Sequence, residues 1–334
     1  AGARYTAWER PMKPDYPTAA ERLKELTDKL ENGITELFSS ERYTEYLKTM
    51  SKFHHYSFGN VLLIAMQYPS ASRVAGFHAW KKNFHRTVKK GEKGIRILAP
   101  CPYTRMVETE KIDPHSKQTV RDANGNPIKE TVIVQKQAFK VVTVFDISQT
   151  EGKELPTIGV SELTGDVSQY ERITAAITDF APVPIYYDDS VLRGGSKGCY
   201  SHLEQCIYVR PDMSQTQTLK TLIHETAHSM LHASTVENGE ITATVPKDRH
   251  TREVEAESIA YVVCQHFGVD TSEYSFGYVA GWSKGRELQE LKASLDCIRI
   301  TAAELIDGIE SRCPELLPPE PAIEEKSQPK RQER

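Results

Sequence analysis

The run Leu219-Lys220-Thr221-Leu222-Ile223-His224-Glu225-Thr226-Ala227-His228-Ser229-Met230-Leu231 carries the decisive spacing of this 334-residue chain, His-Glu-x-x-His within a helical segment. Two histidines four residues apart lie on one helix face, about 6 Å apart along the axis. Their imidazoles can converge on one Zn²⁺, and Glu225 between them can serve as general base toward a water in an open coordination position. Leu219, Leu222, Ile223, Ala227 and Met230 share an apolar face at helical spacing, and His224 and His228 project roughly opposite its centre. A core histidine would sit inside the apolar stripe. These two are read as metal ligands.

A catalytic zinc site takes three protein ligands. The third is sought in Arg252-Glu253-Val254-Glu255-Ala256-Glu257-Ser258-Ile259-Ala260-Tyr261, where Ala256, Ile259, Ala260, Val263 and Phe267 predict a second amphipathic helix. Glu253 and Glu257 are i, i+4 neighbours along one edge of its apolar face, whereas Glu255 points well away. Two carboxylates stacked beside a core face are costly unless paired. Glu253 is expected as the ligand and Glu257 as the outer acceptor that orients a ligand histidine, with the reverse assignment left open. His232 continues the register of His224 and His228 but lies about 12 Å of helix rise from His224, too far to share an ion whose bonds are about 2 Å. It is expected at a rim or helix end. Tyr200 and His250 are both candidates for stabilising an oxyanion. Zn²⁺ is the expected cofactor, although imidazole and carboxylate ligands also accept manganese or cobalt.

The formal net charge of −4, with 39% hydrophobic and 26% charged residues, is ordinary for a globular chain, and the length admits two domains with their own cores. No run approaches 18 apolar residues, so no membrane partner is expected. The six cysteines, Cys101, Cys199, Cys206, Cys264, Cys297 and Cys313, show no C-x-x-C spacing and are expected as free thiols in a reducing cytoplasm. No secretory signal is read, and the start at Ala1 is expected of a processed or excised piece.

Along the chain, residues 1–17 are expected as an extended arm, with Pro11, Pro14 and Pro17. Helices are predicted over Thr18–Ser39, from Ser40 to about His55, over Ser57–Gln67 and over Gly76–Phe84. Buried strands are predicted at 94–100 and 138–147, around a flexible insert at about 102–137 that contains the turn Asn124-Gly125-Asn126-Pro127. A linker at 149–159 separates a first domain (18–148) from a second (160–313). The second is expected to hold a helix at 167–180, a strand at 183–187, a hairpin through 198–200 and 207–209, the two site helices, and a long helix near 286–311. The tail 314–334 is expected to be disordered. The fold class is therefore α+β, a helical/β domain followed by a metal-binding domain, and an edge strand upstream of the histidine helix is suited to hold an extended peptide.

Between Ala71 and Pro100 lie eight cations (Arg73, Lys81, Lys82, Arg86, Lys89, Lys90, Lys93, Arg96) and one acid, Glu92, with Tyr68, Phe77, Trp80 and Phe84 interleaved. Cations supply phosphate affinity and ring faces stack on unpaired bases. Lys81, Lys82, Arg86, Lys89, Lys90, Lys93, Arg96 and Trp80 are the expected nucleic-acid contacts. A solvated basic surface over a core containing Trp80 and Phe77 is the competing reading.

Tyr56-Ser57-Phe58-Gly59-Asn60-Val61-Leu62-Leu63-Ile64, Val74-Ala75-Gly76-Phe77-His78-Ala79-Trp80 and Val88-Lys89-Lys90-Gly91-Glu92-Lys93-Gly94-Ile95 together resemble the N-terminal domain of ArdC-type antirestriction proteins. His224-Glu225-Thr226-Ala227-His228, the Glu253/Ala256/Glu257 helix and Tyr278-Val279-Ala280-Gly281-Trp282 resemble the zincin-like metallopeptidase domain of the same family, related to the ImmA/IrrE group. The resemblance spans most of residues 18–312. It implies a single-stranded-DNA-binding domain followed by a gluzincin-like site, with His224, His228 and Glu253 on zinc and Glu225 as base. It also implies a mobile-element origin and protection of entering DNA, with single-stranded DNA and an unknown protein substrate as partners. The insert at 102–137 and the charged tail depart from the family pattern. Two rival readings follow: a DNA-protecting protein with a non-catalytic metal site, and a protease cleaving one specific repressor.

Overall fold

The computed structural model describes residues 17–155 and 167–314. The arm at 1–16, residues 156–166 of the linker region and the tail from 315 onward lie outside the described residues.

Helices α1 (Ala19–Leu37), α2 (Ser40–Lys52) and α3 (Phe58–Gln67) come first, followed by strand β1 (Val74–Gly76), helix α4 (Phe77–Phe84) and strands β2 (Arg86–Val88) and β3 (Ile95–Pro100). Strands β4 (Tyr103–Glu110), β5 (Lys129–Lys136), β6 (Phe139–Asp146) and β7 (Thr150–Gly152) complete the first half. Helix α5 (Val167–Phe180), strands β8 (Ile185–Tyr187), β9 (Gly198–Ser201) and β10 (Cys206–Val209), and helix α6 (Gln215–Leu231) open the second. It ends with strands β11 (Thr235–Glu237) and β12 (Glu240–Ala243) and helices α7 (Arg249–His266), α8 (Val279–Ser283) and α9 (Leu288–Glu310). Helices and strands are segregated rather than alternating, an α+β arrangement. No helix among the described residues is long and apolar enough to cross a membrane.

Two compact units are distinguished. One comprises the described residues up to Lys29 with Ile97–Val142, the other Leu30–Arg96 with Thr143 onward. In the first, β4 and β5 pair antiparallel from Tyr103↔Lys136 to Glu110↔Lys129. The stretch expected as a flexible insert is thus a hairpin ribbon. The Asn124-Gly125-Asn126-Pro127 turn is closed by the Asp122 carboxylate, which accepts from the backbone N–H groups of Asn124 and Asn126.

In the second unit α2 packs on α3 and α7, and α7 on α6 and α9. Tyr43, Tyr46, Leu47 and Met50 from α2 are fully buried, as are Ile259, Val263, Leu295, Ile298 and Ile306 from α7 and α9. The Tyr43 hydroxyl meets Ser258 Oγ at 2.8 Å across the α2–α7 contact. The linker expectation is corrected at its first residues. Gln149 and Thr150 are buried, and β7 pairs antiparallel with β2 through Arg86↔Gly152, Thr87↔Glu151 and Val88↔Thr150.

Strand order β8-β10-β9, parallel at β8 and antiparallel at β9, makes the sheet on which α6 lies. Gly198 opens β9 where a Cβ would stand 2.6 Å from Thr221 Cγ2 and 2.9 Å from the Tyr208 carbonyl oxygen. Only glycine lets the strand approach the helix this closely, and that approach brings β9 alongside Glu225.

Candidate metal centre

Helix α6 begins at Ser214, whose hydroxyl accepts from Gln217 N–H at 3.3 Å. Helix α7 begins at Asp248, whose carboxylate accepts from Thr251 N–H at 3.0 Å and Thr251 Oγ1 at 2.7 Å. These caps set the phase of two helices that pack side by side. Leu219, Leu222, Ile223 and Ala227 are buried, so His224 and His228 face α7.

There His224 Nε2 lies 3.1 Å from His228 Nε2, and Glu253 Oε2 lies 3.6 and 3.7 Å from the two nitrogens. Ligands held tetrahedrally at 2.0–2.1 Å from an ion stand about 3.4 Å apart. This near-equilateral triangle fits a Zn²⁺-sized cation bound by two imidazoles and one carboxylate. Glu257 Oε2 sits 3.3 Å from His224 Nδ1, on the ring's far side. Of the two carboxylates, Glu253 faces both Nε2 atoms and Glu257 meets the opposite side of the His224 ring.

The His228 ring in turn contacts His232 and, beyond it, Glu255, neither of which was expected to be part of the site. His228 Nδ1 lies 2.9 Å from His232 Nδ1, and His232 Nε2 lies 3.0 Å from Glu255 Oε2. Lys247 Nζ donates to both Glu255 oxygens at 2.9 and 2.8 Å. His232 closes the C-terminal end of α6 but is buried rather than at a rim, and Glu255, although it points away from Glu253 and Glu257, is fully buried. The only sequence clue is the His224/His228/His232 register; the acid that pairs with it is visible only once α6 and α7 are apposed.

Charge follows geometry. Burial opposes protonation of His224, but the facing Glu253 and Glu257 carboxylates outweigh that and raise its pKa to about 10. The two facing imidazoles pull the Glu253 carboxyl well below its ordinary range against burial. Burial lowers His228. Burial likewise raises Glu225, although His224 and a hydrogen bond with the Tyr200 backbone act in the opposite direction.

Glu225, His224 and Glu257 line an open cleft of about 500 Å³ with Gly198, Lys220 and Tyr274. β9 is the terminal strand of its sheet beside it. Tyr200 turns its ring into the protein against His202, with centroids 4.9 Å apart, and does not line the cleft. His250 is exposed and 5.9 Å from the Tyr278 ring. Tyr274, in the cleft wall, and Tyr278 are the phenols that feel the site. Burial raises the pKa of both, and the charge of Glu257 adds to it.

The basic segment divides. Trp80 is fully buried and its indole N–H donates to the Phe145 carbonyl at 2.8 Å, so it is a core residue with no ring face to offer a base. Phe77, half exposed one turn earlier, is more accessible than Tyr68 and Phe84, which are partly buried. Arg86 is also corrected. Its guanidinium donates to Thr150 Oγ1 at 2.7 Å, to the Thr150 carbonyl at 2.9 Å and to the carbonyls of Gly152 and Lys153, bracing β2 against β7. Lys89 donates to the Ser148 carbonyl at 2.9 Å. Arg96 is half-buried, its backbone N–H and carbonyl held by Gln67. Lys81, Lys82, Lys90 and Lys93 are exposed.

Residues 18–145 match the model of the N-terminal domain of anti-restriction factor ArdC, and residues 181–264 that of the IrrE N-terminal-like domain, a peptidase family. The chain is an ArdC-like protein. Among curated proteins, this ArdC-like chain is 30% identical over 329 residues to the uncharacterized protein pXO2-81 of Bacillus anthracis, covering 89% of the chain and 52% of that protein. It is 26% identical over 226 residues to the DNA primase TraC of Escherichia coli, covering 64% of the chain and 20% of the primase. The chain thus spans about half the length of the first relative and a fifth of the second. Crystal structures of the antirestriction ArdC protein from the R388 plasmid align at 17% identity. The Mn(II)-bound form has a TM-score of 0.42 over 88% of this chain and 97% of that one, and the metal-free form 0.40 over 78% and 86%. The six cysteines are free.

Proposed function

We propose that this ArdC-like chain is a zinc-dependent metalloendopeptidase with an adjoining single-stranded-DNA-binding segment, acting in the cytoplasm to protect DNA entering with a mobile element. The observation that carries the reading is the triangle of His224, His228 and Glu253, with Glu225 buried in the cleft that His224 lines. A structural zinc site tends to close with a fourth side chain; among the described residues no fourth histidine, cysteine or carboxylate joins His224, His228 and Glu253, and Glu225 stands in the cleft that His224 lines.

A bound zinc ion would supply Lewis acidity at the scissile carbonyl and make water acidic near neutral pH. The protein does the rest. Glu225 takes the water proton on its carboxylate and returns it to the departing amine. The free edge of β9 holds the substrate extended by backbone hydrogen bonds. Tyr274 and Tyr278 are the hydroxyls available to stabilise the developing oxyanion. In the basic segment, Lys81, Lys82, Lys90 and Lys93 bind phosphates and Phe77 stacks on a base.

Glu225→Gln is the test. Zinc content and affinity for a fluorescent oligonucleotide are expected to match wild type, while cleavage of a fluorogenic peptide library and antirestriction are lost. Antirestriction that survives this substitution would make DNA protection, not proteolysis, the function. A zinc stoichiometry undiminished by Glu253→Ala would move the third ligand elsewhere.

A further inference from the structure

Away from the cleft, His54 and His55, just after α2, meet Asp307 near the end of α9. Asp307 Oδ1 lies 3.5 Å from His55 Nε2 and 3.7 Å from His54 Nε2. One ligand atom from each of the three residues lies within 4.8 Å of the others, and the two rings are 4.1 Å apart.

His54 is 7% exposed, yet neither of its ring nitrogens has a hydrogen-bond partner among the described residues. A buried polar group left without a partner is costly and calls for a missing ligand. The nearest other imidazole cannot supply one. His266 packs edge-on against His54 at 5.1 Å, but its Nδ1 is engaged by the Ser51 carbonyl and its Nε2 by Glu310, both at 2.8 Å. His55 and Asp307 are exposed and leave the group open to solvent.

We infer that His54, His55 and Asp307 form a second divalent-metal site, separate from the cleft, that clamps the segment after α2 to the end of α9. Two imidazoles and a single carboxylate favour the zinc, cobalt and nickel class over calcium or magnesium, which require several oxygen ligands. The two spacings to Asp307, 3.5 and 3.7 Å, lie within a few tenths of an ångström of the roughly 3.4 Å of tetrahedral ligands, and all three ligand atoms lie within 4.8 Å of one another. Water completes the coordination on the exposed side. No residue is shared with the cleft, so this site stands or falls independently of the peptidase reading.

The full chain, stripped with a chelator, is titrated with Zn²⁺ by calorimetry and with Co²⁺ by visible absorption. Two equivalents are expected for wild type. One is expected for Glu253→Ala, which disables the cleft, and one for His55→Ala or Asp307→Asn, both at exposed positions that folding tolerates. The combined Glu253→Ala/His55→Ala variant is expected to bind none. Zinc at about a hundredfold excess over Kd is expected to raise the Tm of Glu253→Ala by roughly 5 °C, and to leave the combined variant unmoved. A single equivalent in wild type, or an undiminished second equivalent in His55→Ala, overturns the assignment.

Discussion

Replacing Glu255 by glutamine removes one charge from the interior and leaves the shape unchanged. If His228 binds an ion through Nε2, its proton must sit on Nδ1, which then donates to His232 Nδ1 at 2.9 Å. His232 must carry its own proton on Nε2 and donate it to Glu255 at 3.0 Å. Every member of the chain has one permitted tautomer, and the Glu255 carboxylate, held ionised by Lys247 and His232 against burial, is what selects it. A glutamine amide can accept from His232 through its oxygen only by turning its NH₂ toward the Lys247 ammonium, placing donor against donor. The alternative leaves His232 Nε2–H unmatched. Removing the partner that orients a metal-binding histidine weakens affinity about 10–100-fold, or roughly 1.4–2.7 kcal/mol. The assay is competition for zinc against a chromophoric chelator at neutral pH, with thermal melts of the metal-free protein run in parallel. Glu257→Gln is expected to cost a similar factor through His224, and the double variant to show the product of the two, because the carboxylates act on different rings. Wild-type zinc affinity in Glu255→Gln would refute the relay.

In the metal-free site His224 keeps a proton up to about pH 10, and an incoming ion must displace it. Zinc affinity is therefore expected to rise about tenfold per pH unit from neutrality toward that value, a slope measurable by calorimetry in buffers of different ionisation enthalpy; a flat profile would contradict it. Gly198→Ala sets a Cβ 2.6 Å from Thr221 Cγ2 and 3.3 Å from Glu225 Cγ. It is expected to lower stability by about 1–3 kcal/mol in denaturant melts, with cleavage falling further than stability, and a neutral result would show that β9 shifts freely. Asp146 is buried, which opposes its ionisation, but hydrogen bonds from the Ser72, Ser148 and Arg73 backbones and the Ser148 hydroxyl outweigh that and depress its pKa. The ionised form is thus a stabilising group above the unfolded value near 3.9, lost as pH falls through the lower folded value. Asp146→Asn should lower Tm at neutral pH and flatten its acid limb; an unchanged limb would assign acid lability elsewhere.

Local periodicity made the helices readable. α2, α3 and α5 begin within a residue of their expected starts, and Ser57, before α3, accepts from Asn60 N–H as its cap. The short strands β1, β2 and β7 escaped because three residues carry too little pattern, and each exists only through its partner. The β4–β5 ribbon escaped for the opposite reason. Most of its side chains are exposed on both strands, so no alternation of apolar and polar residues betrays it. Composition in 71–100 correctly locates cations and rings but cannot say which way they face. Trp80 went to the core and Arg86 to the backbone of β7.

The sequence by itself determined what is periodic along one helix: His224 and His228 on a common face with Glu225 between them, and Glu253 stacked over Glu257. An α-helix turns that spacing into geometry without help from the rest of the chain. Only the tertiary structure decided what depends on two segments meeting: Glu253 rather than Glu257 facing the Nε2 atoms of His224 and His228, His232 bonded to Glu255, and His54 and His55 brought to Asp307. Those contacts arise from how α6, α7 and α9 pack. Packing is settled by the fit of buried side chains from distant parts of the chain, which no local spacing encodes.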